Sequence, residues 1–567
     1  MHLKINQAIE YSAIFKEEIL NVDYFLESIP SLNIIQIFCW IDSEIYSREN
    51  NENKQLELYQ KFSERFPKAD KDLINQYIIN LQRNGDKFSI FTHISNLSII
   101  QYAIENYNTE KARDLSPEEE LALFQGYMFL TEKWTSRPNF NDNQASIFSN
   151  KRLFLENFMP IQIPTSNLLE VNNFIIQTIK ACYLFKFIEK SEKYNKLYEA
   201  FLKENNISNW RIYLSNIYSG FIAGFDQRGI APFRIKIKKE HYHYKKWFLR
   251  YAIDVEKFES DDFFRGIREK PIFKLDDENF LFLNQGFFVN KIYQAIIFDL
   301  SKAAVKSNVK IGEKAIKNVM DLKPFYAADF TEQIMLYNLM DYIFERKASV
   351  RYSGKDLNLR LKKREVDYLI KDGNNIILIE CKDSSFSNNA KGSYSEIKKE
   401  ILKKMASNFE EKPKGTTQLV NAINDILKGK YDFVIRKNKK ITIYPVIVFT
   451  DYTFNLVGVN HILKTDFRKK INKIEGIKEI KDITLVYMDT LIKFQDLYKE
   501  KKISFRKSID TYQKYLKTHS KKYHNGDLGV FISYDKFIHL KTKDMNYTNP
   551  KVFKNEIQEI IEYRESV

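Results

Sequence analysis

Residues 364–382, which read REVDYLIKDGNNIILIECK, constrain the fold more than any other stretch of the chain. Two apolar runs flank Gly373-Asn374, a dipeptide suited to the φ > 0 conformations of a tight hairpin turn. With those two residues at the centre of the turn, Asp372 pairs with Asn375 and Asp367 falls opposite Glu380. Opposed side chains in such a ladder stand about 4.5–5.5 Å apart at Cβ, so two carboxylates there repel unless a cation neutralises them. Lys382 lies two residues past Glu380 and projects from the same face. Two acids and an amine therefore converge where apolar strands end, an arrangement suited to a divalent cation. A turn at Asp372-Gly373 would set Asp367 against Leu378 and leave the carboxylates diagonal on one face. A slip of one residue would separate them.

At 567 residues the chain is expected to form two to four domains, and a hydrophobic fraction of 44% is that of a globular protein. No apolar run approaches the ~20 residues that cross a bilayer, and the first residues, MHLK, lack the apolar core of a signal peptide. Cys39, Cys182 and Cys381 are too dispersed for a disulfide framework or a Cys-x-x-Cys zinc site. A cytoplasmic protein without a membrane anchor is expected. The net charge of +15 is uneven. Residues 1–150 carry 14 Lys and Arg against 22 Asp and Glu, a net of −8, and the remainder carries 75 against 52, a net of +23. Contact with a polyanion is expected of the basic portion, and a protein partner, a second copy or a regulatory ligand of the acidic one.

The expected fold class is α+β, a large helical lobe followed by an α/β domain with a mixed central sheet. Residues 1–230 show apolar side chains at three- and four-residue spacing, as in 55–66, 70–83 and 168–192. Ser116-Pro117-Glu118-Glu119 marks a helix start, with a capping serine, a first-turn proline and a glutamate at the third position. The aromatic richness of this lobe reads as core packing. Residues 231–300 form a small mixed connector. It includes an alternating strand at 233–238, a hairpin over 271–283 and a helix over 286–304. His241 and His243 would share a strand face but lack further metal-ligating neighbours.

Residues 301–500 carry the α/β pattern. A helix over 328–346 places Glu332 on a stripe with Leu336, Leu339 and Ile343, where a carboxylate is buried unless it meets a cation. After the hairpin come a Lys-rich helix over 395–411 and a helix begun by Thr416 or Thr417 and ended at Gly429. Strands follow at 445–450, headed by Pro445, and at 483–488. Residues 501–567 read as a basic, mostly helical extension with a β-like stretch at 529–534.

Asp367, followed thirteen residues later by Glu380-Cys381-Lys382 on a strand, resembles the PD-(D/E)XK nuclease superfamily, the restriction-endonuclease-like fold. Glu332 on an upstream helix and Gln418 heading a later one match accessory positions in many members, and Val366 stands where the family name has proline. The resemblance implies a Mg²⁺- or Mn²⁺-dependent nuclease acting on nucleic acid, DNA before RNA. Asp367, Glu380 and the Cys381 carbonyl would serve as metal ligands and Lys382 would orient water or stabilise charge. Glu332 would hold a bound water or second ion, and Gln418 would position water or phosphate. Asp329 or Glu345 is an alternative to Glu332, and Glu365 to Asp367. The Cys381 thiol is expected to point into the opposite core. By analogy, a role in bacterial defence against phage or foreign DNA follows. A nuclease-like scaffold without activity is the rival reading. No Gly-x-x-x-x-Gly-Lys-Ser/Thr loop, Gly-x-Ser-x-Gly elbow or His-Glu-x-x-His helix occurs, so an ATPase, serine hydrolase or zincin is not indicated.

Overall fold

The hairpin forms in the expected register and lies inside a six-stranded mixed sheet. The computed structural model describes residues 7–565 other than 48–50, 136–149, 164–165, 167–172, 223–233, 238–241, 346–348, 363–365, 388–391, 408–412, 435–439, 472–476, 524–527, 546 and 548. From residue 319 the chain runs through a continuous helix α1 (319–344), strand β1 (Val350–Ser353), helix α2 (Gly354–Leu361), β2 (Tyr368–Asp372) and β3 (Asn375–Lys382). It continues with α3 (Tyr394–Met405), α4 (Gly415–Leu427), β4 (Ile441–Phe449), α5 (Val459–Lys470), β5 (Ile477–Ile480), β6 (Thr484–Tyr487), α6 (Met488–Lys499) and α7 (Phe505–Lys521). The sheet order is β5-β4-β3-β2-β1, with β6 also pairing along β4. β1, β2 and β3 are antiparallel neighbours, whereas β3, β5 and β6 run parallel to β4.

Strand alternation divides the core. Ile377, Ile379 and Cys381 of β3 pack in the cluster that contains α1, α6 and the helix Phe174–Lys190. Ile376 and Leu378 pack on the other face, with α3, α4 and α5. Burying each such side chain stabilises the fold by about 1.5–3 kcal/mol, so a one-residue slip that exchanged the faces would cost several kcal/mol. Gly373 sits at φ 61°, the left-handed region that the turn demands.

Pro445 lies in mid-strand, four residues after β4 begins, and not at the strand start expected for it. β5 pairs with Ile441 to Ile443 and β6 with Val446 to Phe449, so Tyr444 and Pro445 face the break between them. A residue without N–H costs no ladder bond there.

Other expectations are revised locally. The helix expected over 286–304 is two helices, Gln285–Val289 and Ile296–Lys306, separated by a 3₁₀ turn at Asn290–Ile292. The β-like stretch at 529–534 is instead a 3₁₀ turn, Leu528–Phe531, whose Phe531 ring stacks on Phe154 at 5.2 Å. Residues 242–250 are helical, so His243 is not on a strand, and His241 lies outside the described residues. The break expected after Trp134 also lies outside them.

The packing cores do not follow a boundary at residue 230. One core joins residues from Ile9 to Trp134 with Phe264, Phe273 and Leu281 of the connector. Residues from Phe154 to Tyr218 pack in the two cores that flank the sheet. In the first core aromatic rings pack on one another, as Phe38 and Tyr127 do with centroids 5.1 Å apart.

The capping box at Ser116 is present. Glu119 N donates to Ser116 Oγ at 3.2 Å, and Ser116 N donates to Glu119 Oε2 at 2.8 Å. The hydrogen bonds from Arg113, together with that backbone bond, hold the Glu119 carboxyl down to about 2. A depressed carboxylate contributes stability above its unfolded pKa of ~4.3 and loses it as pH falls through the folded value. Glu119→Gln is therefore expected to lower Tm at pH 7, with the gap to wild type closing as pH approaches 2. A gap independent of pH in thermal melts would refute this.

Candidate active site

β2 and β3 bring the acids of the hairpin to one end of the sheet. The pairing of Tyr368 with Ile379, continued by one residue, sets Asp367 opposite Glu380. Both are buried, at 3% and 0% exposure. Because β2 begins only at Tyr368, the Asp367 carboxylate takes the place of the missing strand and accepts the Cys381 N–H at its Oδ2, 2.6 Å away. The N–H and C=O of one residue leave an extended strand on the same side, so the Cys381 carbonyl also faces the Asp367 side. The Cys381 side chain lies in the opposite core, and burial pushes its thiol well above the ordinary range. A protonated thiol in that position is no nucleophile.

Lys382 Nζ donates to Glu380 Oε1 at 2.5 Å and to Gln418 Oε1 at 2.9 Å. Burial disfavours its charge, but Glu380 and Asp367 more than offset this and the amine is raised overall. Gln418 Oε1 also accepts Gly415 N at 3.0 Å, so the side chain that orients Lys382 caps α4 as well. Thr416 and Thr417, expected as caps, instead bond Asp466 and Lys470 of α5. Gly415 has φ 37°, and a Cβ there would lie 2.1 Å from the Met405 carbonyl oxygen. Gly415→Ala is expected to destabilise the protein by at least about 1 kcal/mol, because backbone rather than a pliant side chain is in the way. Urea denaturation measures the effect, and an unchanged midpoint would contradict it.

The helix α1 supplies Glu332 through a feature that heptad-like reading misses. Its segment Tyr326–Leu336 is π-helical, so neighbours along the face recur at five residues. Glu332 is half-buried, and its Oε1 accepts from Tyr337 Oη, five residues on, at 3.2 Å. A Cβ on Gly354 would lie 2.9 Å from that hydroxyl and 3.3 Å from Asp367 Cα, which places the Glu332–Tyr337 pair beside Asp367. The two alternatives to Glu332 are engaged elsewhere. Asp329 accepts from Lys193 at 2.5 Å and Tyr194 at 2.6 Å, and Glu345 pairs with Lys499. Glu365 lies outside the described residues.

Sequence periodicity does not point to Tyr337, nor to a second polar group that begins one residue past Lys382, Asp383 with Thr331. Asp383, next to Lys382, accepts from Thr331 Oγ1 at 2.6 Å, Lys323 Nζ at 2.6 Å and Thr450 Oγ1 at 2.7 Å. It thereby ties α1 to the ends of β3 and β4. Polar triplets like these are not periodic, so only their convergence reveals them. Burial and the like charges of Lys404, Lys382 and Lys403 depress the half-buried Lys414 amine. A cluster of this sign beside the acids attracts anions.

Among the described residues no group of three or more His, Cys, Asp and Glu side chains is arranged to hold a metal ion, and no helix is long and apolar enough to cross a membrane. The donors available at the hairpin are the oxygens of two carboxylates, Asp367 and Glu380, with the Cys381 carbonyl beside them. That set fits a hard cation such as Mg²⁺, which retains several waters and takes one or two carboxylates. No family model, curated protein or solved structure matches the chain. The class that fold and site define is therefore a mixed α+β protein with a buried acid–lysine cluster at the end of its sheet.

Proposed function

We propose that the chain is a divalent-metal-dependent nuclease hydrolysing phosphodiester bonds, with DNA as the favoured substrate. The observation that carries this reading is the juxtaposition of Asp367, Glu380 and Lys382 at the end of one hairpin, with Gln418 holding the amine. Asp367 and Glu380 would hold the cation. When bound, such an ion polarises the phosphoryl group and acidifies water. The Lys382 ammonium, fixed between Glu380 and Gln418, donates hydrogen bonds to the attacking water or to the charge that develops on phosphate. Glu332, steadied by Tyr337, orients water on the α1 side. The basic remainder of the chain supplies backbone affinity that falls steeply with salt. The defence role belongs to this proposal by analogy of architecture alone.

The test is cleavage of supercoiled plasmid, single-stranded oligonucleotides and RNA in Mg²⁺ or Mn²⁺ by the full chain, compared with Asp367→Asn and Lys382→Ala. Metal-dependent products from the wild type alone support the reading. Activity unchanged from wild type in both variants overturns the site. Salt-sensitive binding with no hydrolysis of any substrate favours the rival, an inert nucleic-acid-binding scaffold.

A further inference from the structure

The sheet face that carries Asp367, Glu380 and Lys382 also carries a stacked cation at its edge. Tyr352 pairs with Leu369, two residues along from Asp367, and belongs to the same face of the sheet. Its separation from Asp367 is thus about 7 Å along the strand direction and one strand spacing, about 4.8 Å, across. Phe433 reaches the same edge on a turn that Lys371 Nζ anchors by bonding the Val434 carbonyl. The rings of Tyr352 and Phe433 meet edge to face at 5.4 Å. The Arg360 guanidinium, on the exposed side of α2, lies over both, 5.3 Å from the Tyr352 centroid and 5.1 Å from that of Phe433. Tyr431, buried, backs Phe433 at 5.8 Å.

An isolated surface arginine over one ring is commonplace. This one is held by two rings set at right angles, one on the sheet's edge strand and one on the neighbouring turn, on the face of the acid–lysine cluster. A guanidinium held in this way presents a flat, weakly hydrated cation on which a nucleobase stacks, and such stacking is sequence-tolerant. Bases in a duplex are already stacked on one another and cannot reach it. We infer that Arg360, Tyr352 and Phe433 form a base-stacking platform for an unpaired nucleotide next to the scissile phosphate, so that the substrate is single-stranded nucleic acid or a single-stranded end or flap. The inference rests on the proposed nuclease reading and deepens it by naming the substrate class.

The experiment uses the full chain in EDTA, which prevents cleavage, with a single-stranded oligonucleotide carrying 2-aminopurine and the corresponding duplex. The variants are Arg360→Lys, which keeps the charge and removes the plane, and Phe433→Leu, which removes a supporting ring. The wild type is expected to quench 2-aminopurine in the single strand. Each variant is expected to lose that quenching and about 5- to 100-fold in single-strand affinity, with duplex affinity changed less than about twofold. Unchanged quenching and affinity in Arg360→Lys would overturn the platform, as would a parallel fall for duplex. A separate incubation in Mn²⁺ distinguishes the two readings. Cleavage by the wild type with variants indistinguishable in EDTA removes the platform and keeps the nuclease. Quenched binding that Arg360→Lys abolishes, with no cleavage in any divalent metal, keeps the platform and removes the nuclease. No binding in EDTA together with no cleavage in Mn²⁺ by the wild type removes both.

Discussion

Asp367→Asn is expected to lower metal-dependent hydrolysis by at least about 10³-fold while leaving the fold intact, a loss at or above that from removing one transition-state donor. Asparagine is the informative replacement because of the second job that Asp367 performs. Its Oδ2 accepts the buried Cys381 N–H just before β2 begins. Alanine would abandon that N–H and cost about 1–3 kcal/mol in addition to any catalytic effect. The amide of asparagine keeps an oxygen acceptor for the N–H and removes the negative charge that a cation needs. Rates measured on the substrate cut best, beside thermal melts of both variants, separate the two roles. Asp367→Asn with wild-type rate would remove Asp367 from the site. An inactive Asp367→Asn with a wild-type Tm would tie the loss to charge alone.

The second expected result concerns Lys382. Lys382→Ala should reduce the rate by about 10²- to 10⁴-fold and also destabilise the protein by about 3–5 kcal/mol. The stability term follows from burial. The side chains of Lys382 and Glu380 are 13% and 0% exposed, so removing the amine leaves a carboxylate charged in the interior. An exposed pair would be worth no more than about 1 kcal/mol. The double variant Glu380→Gln with Lys382→Met removes both charges and is expected to recover most of the stability with none of the activity. Urea denaturation of the two singles and the double gives the coupling directly. A Lys382→Ala midpoint within 1 kcal/mol of wild type would show that the pair is not buried as a unit in solution.

How much of this was legible in the sequence depends on the distance over which each feature is encoded. The turn at Gly373-Asn374, the opposition of Asp367 and Glu380 and the parity of Lys382 follow from short-range rules of strand pairing, and the structure holds them in that register. The cap at Ser116 and the end of α4 at Gly429 are equally local. The stripe through Glu332 presupposes an α-helical period, whereas the π-helical segment Tyr326–Leu336 makes Tyr337 its neighbour. Local propensity marks residues 415–418 as a helix start and points to a threonine as its cap, because it does not reveal that Gln418 serves Lys382 and Gly415 together. Pro445 contradicts its strand by local rules and fits only because two shorter strands share that side of β4 and leave a break.

The sequence by itself determined the alternation of the hairpin, the side on which its acids and amine project and the charge contrast between the ends of the chain. These depend on the pleat of a strand and on composition. Only the tertiary structure decided which distant side chains complete the cluster. Tyr337 beside Glu332, Asp383 with Thr331 and Thr450, the bond from Lys382 to Gln418, and the rings that hold Arg360 come from separate elements. The physical reason is that a strand's period dictates facing residue by residue, whereas a helix's distance and rotation over a sheet are set by how whole side chains fill the core between them.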